Sequence, residues 1–371
     1  MKYENLFYFY VENPENSQAM EMDDFDDFKI ILWLILFLLF GIVIITCKRP
    51  PDAVVMTVNG PESPGRMGLT LEHEHILVDF IGADSTGYFR WNKDSVIAKA
   101  LPYVAEAKQS GVKTIVEATP QWLGRDPLLL KSLSRVSGVN FITNTGYYGA
   151  QSNKFIPKSF YGMDPGEIAE LWIDEFRNGI EGTGIKPGFI KIAVNPDDHL
   201  SPEHIKIINA ASLAHLETGL VIASHTGPDG PAFEQIEILK NNGVDPSAFI
   251  WVHAERGTME GNIKAAREGV WISLDKIRLG NNEPGSPYSI EWYADRIVRL
   301  RDEGLLHKVL ISHDSGWFDP AMPGGGTFNG YTDIFEAFLP ALRNRGFSDD
   351  DIDQIMVKNP GRAFTIGIRK L

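Results

Sequence analysis

The chain has 371 residues, of which 43% are hydrophobic and 23% charged, a composition typical of a globular protein and not of a disordered or collagen-like one. Its 35 lysines and arginines against 49 acids give a net charge of −14, which disfavours nucleic-acid binding, because phosphate contacts need clustered cations. The single cysteine excludes a disulfide framework and a cysteine-based zinc ribbon, so a bound metal must use histidines and carboxylates. Small molecules are the expected partners.

Three segments are predicted ahead of the folded domain. Residues 1–28 contain eight acids and one lysine and are expected to form an acidic, disordered tail. Residues 29–48 include an uncharged run of 18 residues, 30–47, which as a helix would span about 27 Å, close to the thickness of a bilayer core. Residues 49–66 contain prolines and glycines and predict a linker.

The apolar run predicts a membrane-anchored protein, and two kinds of anchor stay open. One is a single-pass transmembrane helix, and the other is a bacterial lipoprotein signal in which Cys47 carries the lipid. Lys29 on one side and Lys48 with Arg49 on the other favour a cytoplasmic domain for a transmembrane helix, whereas lipidation would place the domain outside. The side of the membrane is therefore left open.

From residue 67 to residue 371, short apolar runs alternate with stretches of helical periodicity. The predicted strands are 68–77, 114–119, 140–148, 188–195, 220–227, 249–255, 270–276 and 309–317. Surface helices are predicted at 95–110, 165–177, 204–218, 232–241, 262–268 and 290–301. Eight strands predict an α/β fold of the (β/α)8 TIM-barrel type, because no G-x-G-x-x-G turn of a doubly wound sheet follows an early strand.

Residues able to bind a metal lie at the carboxyl ends of these strands, the face where barrel enzymes keep their chemistry. His73 and His75 are two residues apart on the first strand, so both side chains are expected to enter the barrel. His225, His253 and Asp314 end the fifth, sixth and eighth strands. Five such residues at one face predict a metal centre.

Lys191 lies inside the fourth predicted strand, where an unpaired ammonium group would cost several kcal/mol to desolvate. Burial lowers the pKa of a lysine, and its neutral amine can add carbon dioxide to give a carbamate, an anion able to bridge two cations. Two interpretations stay open: Lys191 is a carbamylated metal ligand, or it takes part in a buried ion pair.

The other histidines are expected to play no part in the metal centre. His313 is adjacent to Asp314 and should point to the opposite face. The remaining four are expected to be ordinary surface residues in loops or helices: His199, His204, His215 and His307.

Six short motifs carry a resemblance to a known family. They are Gly-Leu-Thr-Leu-Glu-His-Glu-His at 68–75, Gly-Arg-Asp at 124–126, Gly-Phe-Ile-Lys-Ile-Ala at 188–193, Ser-His-Thr at 224–226, His253 and Ser-His-Asp at 312–314. With these motifs the chain, over about residues 67–371, resembles the phosphotriesterase-like branch of the amidohydrolase superfamily. The resemblance implies a barrel with a binuclear metal centre, usually of zinc. It assigns one metal to His73, His75 and Asp314 and the other to His225 and His253, with carbamylated Lys191 as the bridge.

The activity implied is zinc-dependent hydrolysis, in which a metal-bridging hydroxide attacks an ester or lactone, with phosphotriesters as a further substrate class. Asp314 and Lys191 are the expected catalytic residues, since Asp314 is placed to accept the proton of that hydroxide. Amide hydrolysis by the same site stays an alternative, as does a non-catalytic, membrane-tethered binding protein. None of the six ligand positions is replaced, which favours an enzyme.

Three residues are expected to contact the substrate: Tyr148, Lys276 and Trp317. Tyr148 stands where lactone-hydrolysing members of the family carry tyrosine, which favours carboxyl esters, although a purely packing role for it is an equal alternative. Lys276 and Arg256 stand near the positions of a proton-relaying histidine and aspartate in the organophosphate-hydrolysing members, a departure that disfavours efficient triesterase activity. Family members often pair as homodimers, so a second copy is also an expected partner.

Overall fold

Parallel strands and the helices between them build the part of the chain that the computed structural model describes, residues 53–280 and 287–371. The strands are β1 Val55–Thr57, β2 Gly60–Glu62, β3 Thr70–Leu77, β4 Thr114–Glu117, β5 Asn140–Ile142, β6 Asn144–Thr145, β7 Phe189–Ala193, β8 Ile222–His225, β9 Phe249–Val252, β10 Trp271–Leu274, β11 Val309–Ile311 and β12 Gly316–Phe318. All eight predicted strands are present, each shorter than predicted.

The parallel strands form two sheets that meet at both ends. One sheet has the order β11-β10-β9-β8-β7-β6 and the other the order β12-β3-β4-β5. The chain passes from β5 to β6 through one residue and from β11 to β12 through a short turn, so the two sheets continue into each other. The last strand returns to the first, with Gly316 paired to His75. The result is an α/β, TIM-barrel-like fold, which confirms the predicted fold class at that level.

The helices are α1 Lys93–Gln109, α2 Pro127–Ser137, α3 Pro165–Asn178, α4 Pro202–Thr218, α5 Asp229–Asn241, α6 Met259–Arg267, α7 Ile290–Asp302, α8 Leu339–Asn344, α9 Asp349–Asp353 and α10 Asn359–Ala363. Six of them match predicted helices, and α2 was not predicted. Its signals are nevertheless in the sequence: the Asp126 side chain accepts from the Leu129 amide, Pro127 opens the helix and Gly138 ends it at φ +70°.

A β-hairpin formed by β1 and β2 occupies residues that were predicted to be a linker. Its Val55 is fully buried and packs with Phe189, Leu310 and Phe364 inside the barrel. The apolar residue at the start of the hairpin therefore helps to fill the barrel interior, a role that the proline and glycine content of this stretch did not reveal.

The predicted membrane segment, residues 30–47, lies outside the described residues. Within the described ranges, no helix is both long enough and apolar enough to cross a bilayer. On this finding the prediction of a membrane-anchored protein is corrected.

Two histidines predicted at the surface are buried. His204 lies on the inner face of α4 and its Nε2 donates to the carbonyl of Gly149 at 2.9 Å. His215 donates from Nδ1 to the carbonyl of Leu220 at 2.8 Å and accepts at Nε2 from the amide of Arg369 at 3.0 Å. Each ring is satisfied by backbone groups, so these buried histidines hold α4 and the C-terminal segment in place.

Gly316→Ala is expected to lower the free energy of unfolding by about 3 kcal/mol, because backbone strain and a collision with buried backbone combine. Gly316 has φ +99°, and a Cβ there would collide with the carbonyl oxygen of His75 and with the Tyr331 hydroxyl. Gly304 is the matched control, since it has φ +74° and open space around it. Gly304→Ala should cost only about 1 kcal/mol in denaturant unfolding. Equal losses of unfolding free energy in the two variants would show that the collision with His75 does not destabilise the fold.

Candidate metal centre

Three side chains converge inside the mouth of the barrel, two from β3 and one from the turn after β11. His75 Nε2 lies 3.1 Å from Asp314 Oδ1, and His73 Nε2 lies 3.9 Å from the same oxygen. All three residues are buried, and their ligand atoms are close enough together to hold one metal ion. The alternation of β3 explains the pairing, since His73 and His75 share a face while Glu74 points away and accepts from the His313 ring.

Asp314 reaches this position through an unusual backbone conformation. Its φ is +53°, in the left-handed region that few residues other than glycine adopt. Its amide donates to the carbonyl of His73 at 3.1 Å, which holds the turn after β11 against β3. Burial alone would raise the pKa of Asp314, but the hydrogen bond with His75 and the nearby His73 ring hold this pKa well below its usual range. The carboxyl group is therefore ionised.

A second pair of histidines stands beside the first group. His253 Nε2 lies 2.8 Å from His225 Nδ1, so one ring nitrogen of each faces the same point. His253 also has a left-handed backbone, with φ +59°, at the end of β9. Burial, together with the His253 and Lys191 charges, lowers the pKa of His225 well below its usual value, and burial lowers that of His73 to about 4. Both rings are therefore neutral at pH 7, as metal binding requires.

Lys191 lies between the two groups. Its side chain is 1% exposed, and its Nζ is 3.4 Å from His73 Nε2. Burial lowers the pKa of Lys191 to about 8. Among the described residues it forms no ion pair with any carboxylate. The structure therefore does not show Lys191 in a buried ion pair. Its amine instead faces the His73 ring.

Asp275 supports both groups from behind, although it is not among the residues predicted for the site. Its Oδ1 accepts from His253 Nδ1 at 2.5 Å, and its Oδ2 accepts from His73 Nδ1 at 3.2 Å and from Ser273 Oγ at 2.6 Å. Burial alone would raise its pKa, but the His253 and His73 rings hold the pKa well below its usual range. The signal was present, because Asp275 directly follows strand β10 at the same face as the other ligands.

These hydrogen bonds determine which ring nitrogen of each histidine is free to bind a metal. With their Nδ1 protons donated to Asp275, His73 and His253 keep Nε2 free to bind a cation. His75 is oriented in the same way, since its Nδ1 donates to Thr119 Oγ1 at 2.8 Å and Thr119 in turn donates to Glu117. Neutral imidazoles and one ionised carboxylate suit zinc and similar divalent ions, so the residues fit the metal that the sequence motifs imply.

A further set of possible ligands is His253, Glu255 and Asp275. Asp275 already accepts hydrogen bonds from both histidines, and Glu255 lies on the same Nδ1 side of His253, at 3.8 Å. Burial and the nearby Asp275 raise the pKa of Glu255 well above its usual value, so it is a neutral acid and a poor ligand. This set therefore serves as support for the histidines.

The predicted substrate-contacting residues lie around the same group of histidines. Tyr148 places its hydroxyl 3.2 Å from His225 Nδ1, and Lys276 places its amino group 3.6 Å from Asp314 Oδ2. The Trp317 ring packs edge-on to His75 with ring centroids 5.7 Å apart, and its buried Nε1 has no hydrogen-bond partner within the described ranges. All three thus adjoin the candidate metal centre.

The Gly-Arg-Asp motif at 124–126 lies elsewhere and has a structural explanation. The buried guanidinium of Arg125 forms ion pairs with Glu175 at 2.6 Å and with Glu181 at 3.2 Å. Asp126 caps α2 and accepts from Trp91 Nε1 at 3.0 Å. The motif therefore ties the loop after β4 to α3, and within the described ranges its ion pairs and side-chain hydrogen bonds do not reach the candidate metal centre.

Asp275→Asn is expected to weaken zinc binding by about 10- to 100-fold, because an amide no longer fixes both Nδ1 protons. The measurement is a zinc titration of the metal-free protein against a competing chelator. Asp295→Asn is the control, since Asp295 is 71% exposed and, among the described residues, pairs only with Arg345. Unchanged zinc affinity in Asp275→Asn would mean that the histidines are oriented without this carboxylate.

Comparison with known proteins places this geometry in a family. The phosphotriesterase family profile matches residues 53–364. A phosphotriesterase homology protein of Escherichia coli is 30% identical over 298 residues, which cover 80% of this chain and 98% of that protein. An aryldialkylphosphatase of Saccharolobus solfataricus is 31% identical over 313 residues, covering 81% and 95%.

A further relative and a solved structure also match this chain. An N-acetyltaurine hydrolase of Dictyostelium discoideum is 31% identical over 271 residues, which cover 70% of each chain. The solved structure of an organophosphorus hydrolase from Deinococcus radiodurans superimposes with a TM-score of 0.72 at 27% identity, covering 85% of this chain and 98% of that one. These matches confirm the resemblance that the six motifs carry: the chain belongs to the phosphotriesterase family of hydrolases.

Proposed function

We propose that this protein is a zinc-dependent hydrolase with two metal ions that cleaves carboxylic esters or lactones. The observation that carries the proposal is the convergence of four imidazoles and the ionised Asp314 on one buried lysine at the barrel mouth. One ion would be held by His73, His75 and Asp314, and the other by His225 and His253. Lys191 lies between the two sets, and its carbamate would bridge them.

When bound, the two cations supply Lewis acidity, which activates water and polarises the bond to be cleaved. The side chains of this protein then have to remove a proton and position the substrate. Asp314 is suited to the first task, because its Oδ1 faces His75 while its Oδ2 faces Lys276, whose side chain is 42% exposed. A proton accepted by Asp314 thus has a route towards solvent.

Tyr148 supports the choice of a carbonyl substrate. Burial and the nearby Asp314 raise the pKa of its hydroxyl above the ordinary value, so the group stays protonated and can donate a hydrogen bond. It lies 3.2 Å from a nitrogen of His225 and therefore beside the reacting bond. A donor at this point would stabilise negative charge that develops on a carbonyl oxygen.

Amide hydrolysis is the second candidate, and two observations favour it. Relatives of Dictyostelium discoideum and Xenopus tropicalis are described as N-acetyltaurine hydrolases. An amine leaving group has to be protonated, and the ammonium of Lys276 lies next to Asp314. The same residues would serve both reactions, with Lys276 more important for the amide.

The test is a substrate panel of lactones, aryl esters, aryl phosphotriesters and acyl amides, assayed with the full chain after loading with zinc. The proposal expects the highest kcat/KM for an ester or lactone. A preference for amides would establish the second candidate instead, and turnover of none of the four classes by the zinc-loaded protein would contradict the hydrolase assignment.

A further inference from the structure

Two cations border the candidate metal centre without belonging to its set of ligands. Lys276 directly follows Asp275, and its half-buried side chain lies 3.6 Å from Asp314. Arg256 lies three residues after His253, at the end of the short helical turn Ala254–Arg256, and is exposed. Both side chains are therefore exposed to solvent beside the site.

A glycine sets the position of Arg256. Gly227 lies two residues after His225, and a Cβ added to it would come within 3.3 Å of Arg256 Nε and 3.4 Å of its Cζ. The carbonyl of Gly227 accepts from Trp251 Nε1 at 2.9 Å, which fixes this turn against β9. The guanidinium thus packs against bare backbone beside His225, in a space that a side chain on Gly227 would close.

Among the described residues, Arg256 lacks the acidic partner that several other arginines have. Arg125, Arg267 and Arg345 pair with glutamate or aspartate at 2.5 to 2.8 Å. Within the described ranges, the Arg256 side chain forms no ion pair and no hydrogen bond. In a protein with a net charge of −14, an unpaired guanidinium at the mouth of a site is available to a ligand.

We propose that Arg256 and Lys276 bind a carboxylate on the substrate, so that the protein acts on acyl compounds that carry a negative charge. This inference rests on the proposed hydrolase function. A guanidinium can hold a carboxylate through two parallel hydrogen bonds, and an ammonium adds a third charge-assisted contact. Neutral esters lack this anchor and would be bound less tightly.

Two esters with the same leaving group test the inference: mono-(4-nitrophenyl) glutarate, which is anionic, and 4-nitrophenyl acetate, which is neutral. The zinc-loaded full chain should show a kcat/KM about tenfold or more higher for the anionic ester, with the difference mainly in KM. Arg256→Gln and Lys276→Met should each reduce this preference by about tenfold. Added sodium chloride should lower kcat/KM for the glutarate ester far more than for the acetate.

Arg267→Gln is the matched control, since Arg267 is exposed on α6, pairs with Glu303 and lies away from the metal centre. It should keep the native preference. Equal kcat/KM for the two esters, or a preference that neither Arg256→Gln nor Lys276→Met changes, would overturn carboxylate binding while leaving the hydrolase in place. Cleavage of neither ester while a neutral lactone is hydrolysed would overturn the inference alone. No turnover of these esters or of any other substrate class in the panel would contradict the proposed function itself, and this inference with it.

Discussion

Asp314→Asn is expected to lower kcat for ester hydrolysis by about 10³-fold, within the range that general acid–base groups contribute. An amide has nearly the size of the carboxylate, so the turn after β11 should persist. The amide, however, has no negative charge to interact with His73, His75 and Lys276, and it cannot accept a proton at neutral pH. The measurement is steady-state kinetics with zinc in excess, so that weaker metal binding does not by itself account for the loss.

The control for this variant is Asp302→Asn, because Asp302 is 55% exposed at the end of α7 and its one ion pair within the described part of the chain is with Arg301. It should keep native kinetics. The far-ultraviolet circular dichroism of Asp314→Asn should match that of the native protein. Native kcat in a folded Asp314→Asn variant would exclude this carboxylate as the proton acceptor.

Lys191→Met is expected to abolish turnover and to leave fewer than two tightly bound metal ions per chain. Methionine fills a similar volume in β7, but it has no amine that could form a bridging anion between the two sets of ligands. The measurement is metal content by mass spectrometry after gel filtration, together with kcat. Lys158→Met is the control, since that side chain is 84% exposed and forms an ion pair with Asp84. Two bound ions and native turnover in Lys191→Met would remove Lys191 from the metal centre.

The same variant has a second consequence for the metal-free protein. The pKa of Lys191 is about 8 in the folded state and 10.5 in its ordinary state, because burial disfavours the ammonium. Between these values the unfolded chain binds more protons, so stability rises with pH and levels off above 10.5. The Lys191 contribution to this rise is about 3 kcal/mol. Urea unfolding at pH 7.5 and 10.5 should therefore show a smaller pH dependence in Lys191→Met than in the native protein.

The parts of the site that follow from strand alternation were predictable from the sequence. His73 and His75 share a face because they are two residues apart on a strand, and the other ligands follow because parallel strands end at one face of a barrel. The structure brings His73, His75, Lys191, His225, His253 and Asp314 together at that face. Their roles as ligands stay a prediction until a metal is measured.

The position of Asp275 at a strand end was predictable by the same argument, but its role behind the ligands was not. Asp275 matters because its two oxygens reach Nδ1 of histidines on β3 and at the end of β9, a relation between strands distant in sequence. The left-handed backbone at His253 and Asp314 likewise depends on contacts that only the closed barrel supplies. Buried histidines such as His204 were mistaken for surface residues because helical periodicity alone does not identify a backbone carbonyl as a partner.

One experiment tests the central claim most directly: stepwise addition of zinc to the metal-free full chain while hydrolysis of an aryl ester is followed. The account predicts no turnover without metal and a rate that rises with added zinc and saturates at two equivalents per chain. Turnover that persists in the presence of a strong chelator, or that is absent at every zinc ratio across the substrate panel, would contradict it.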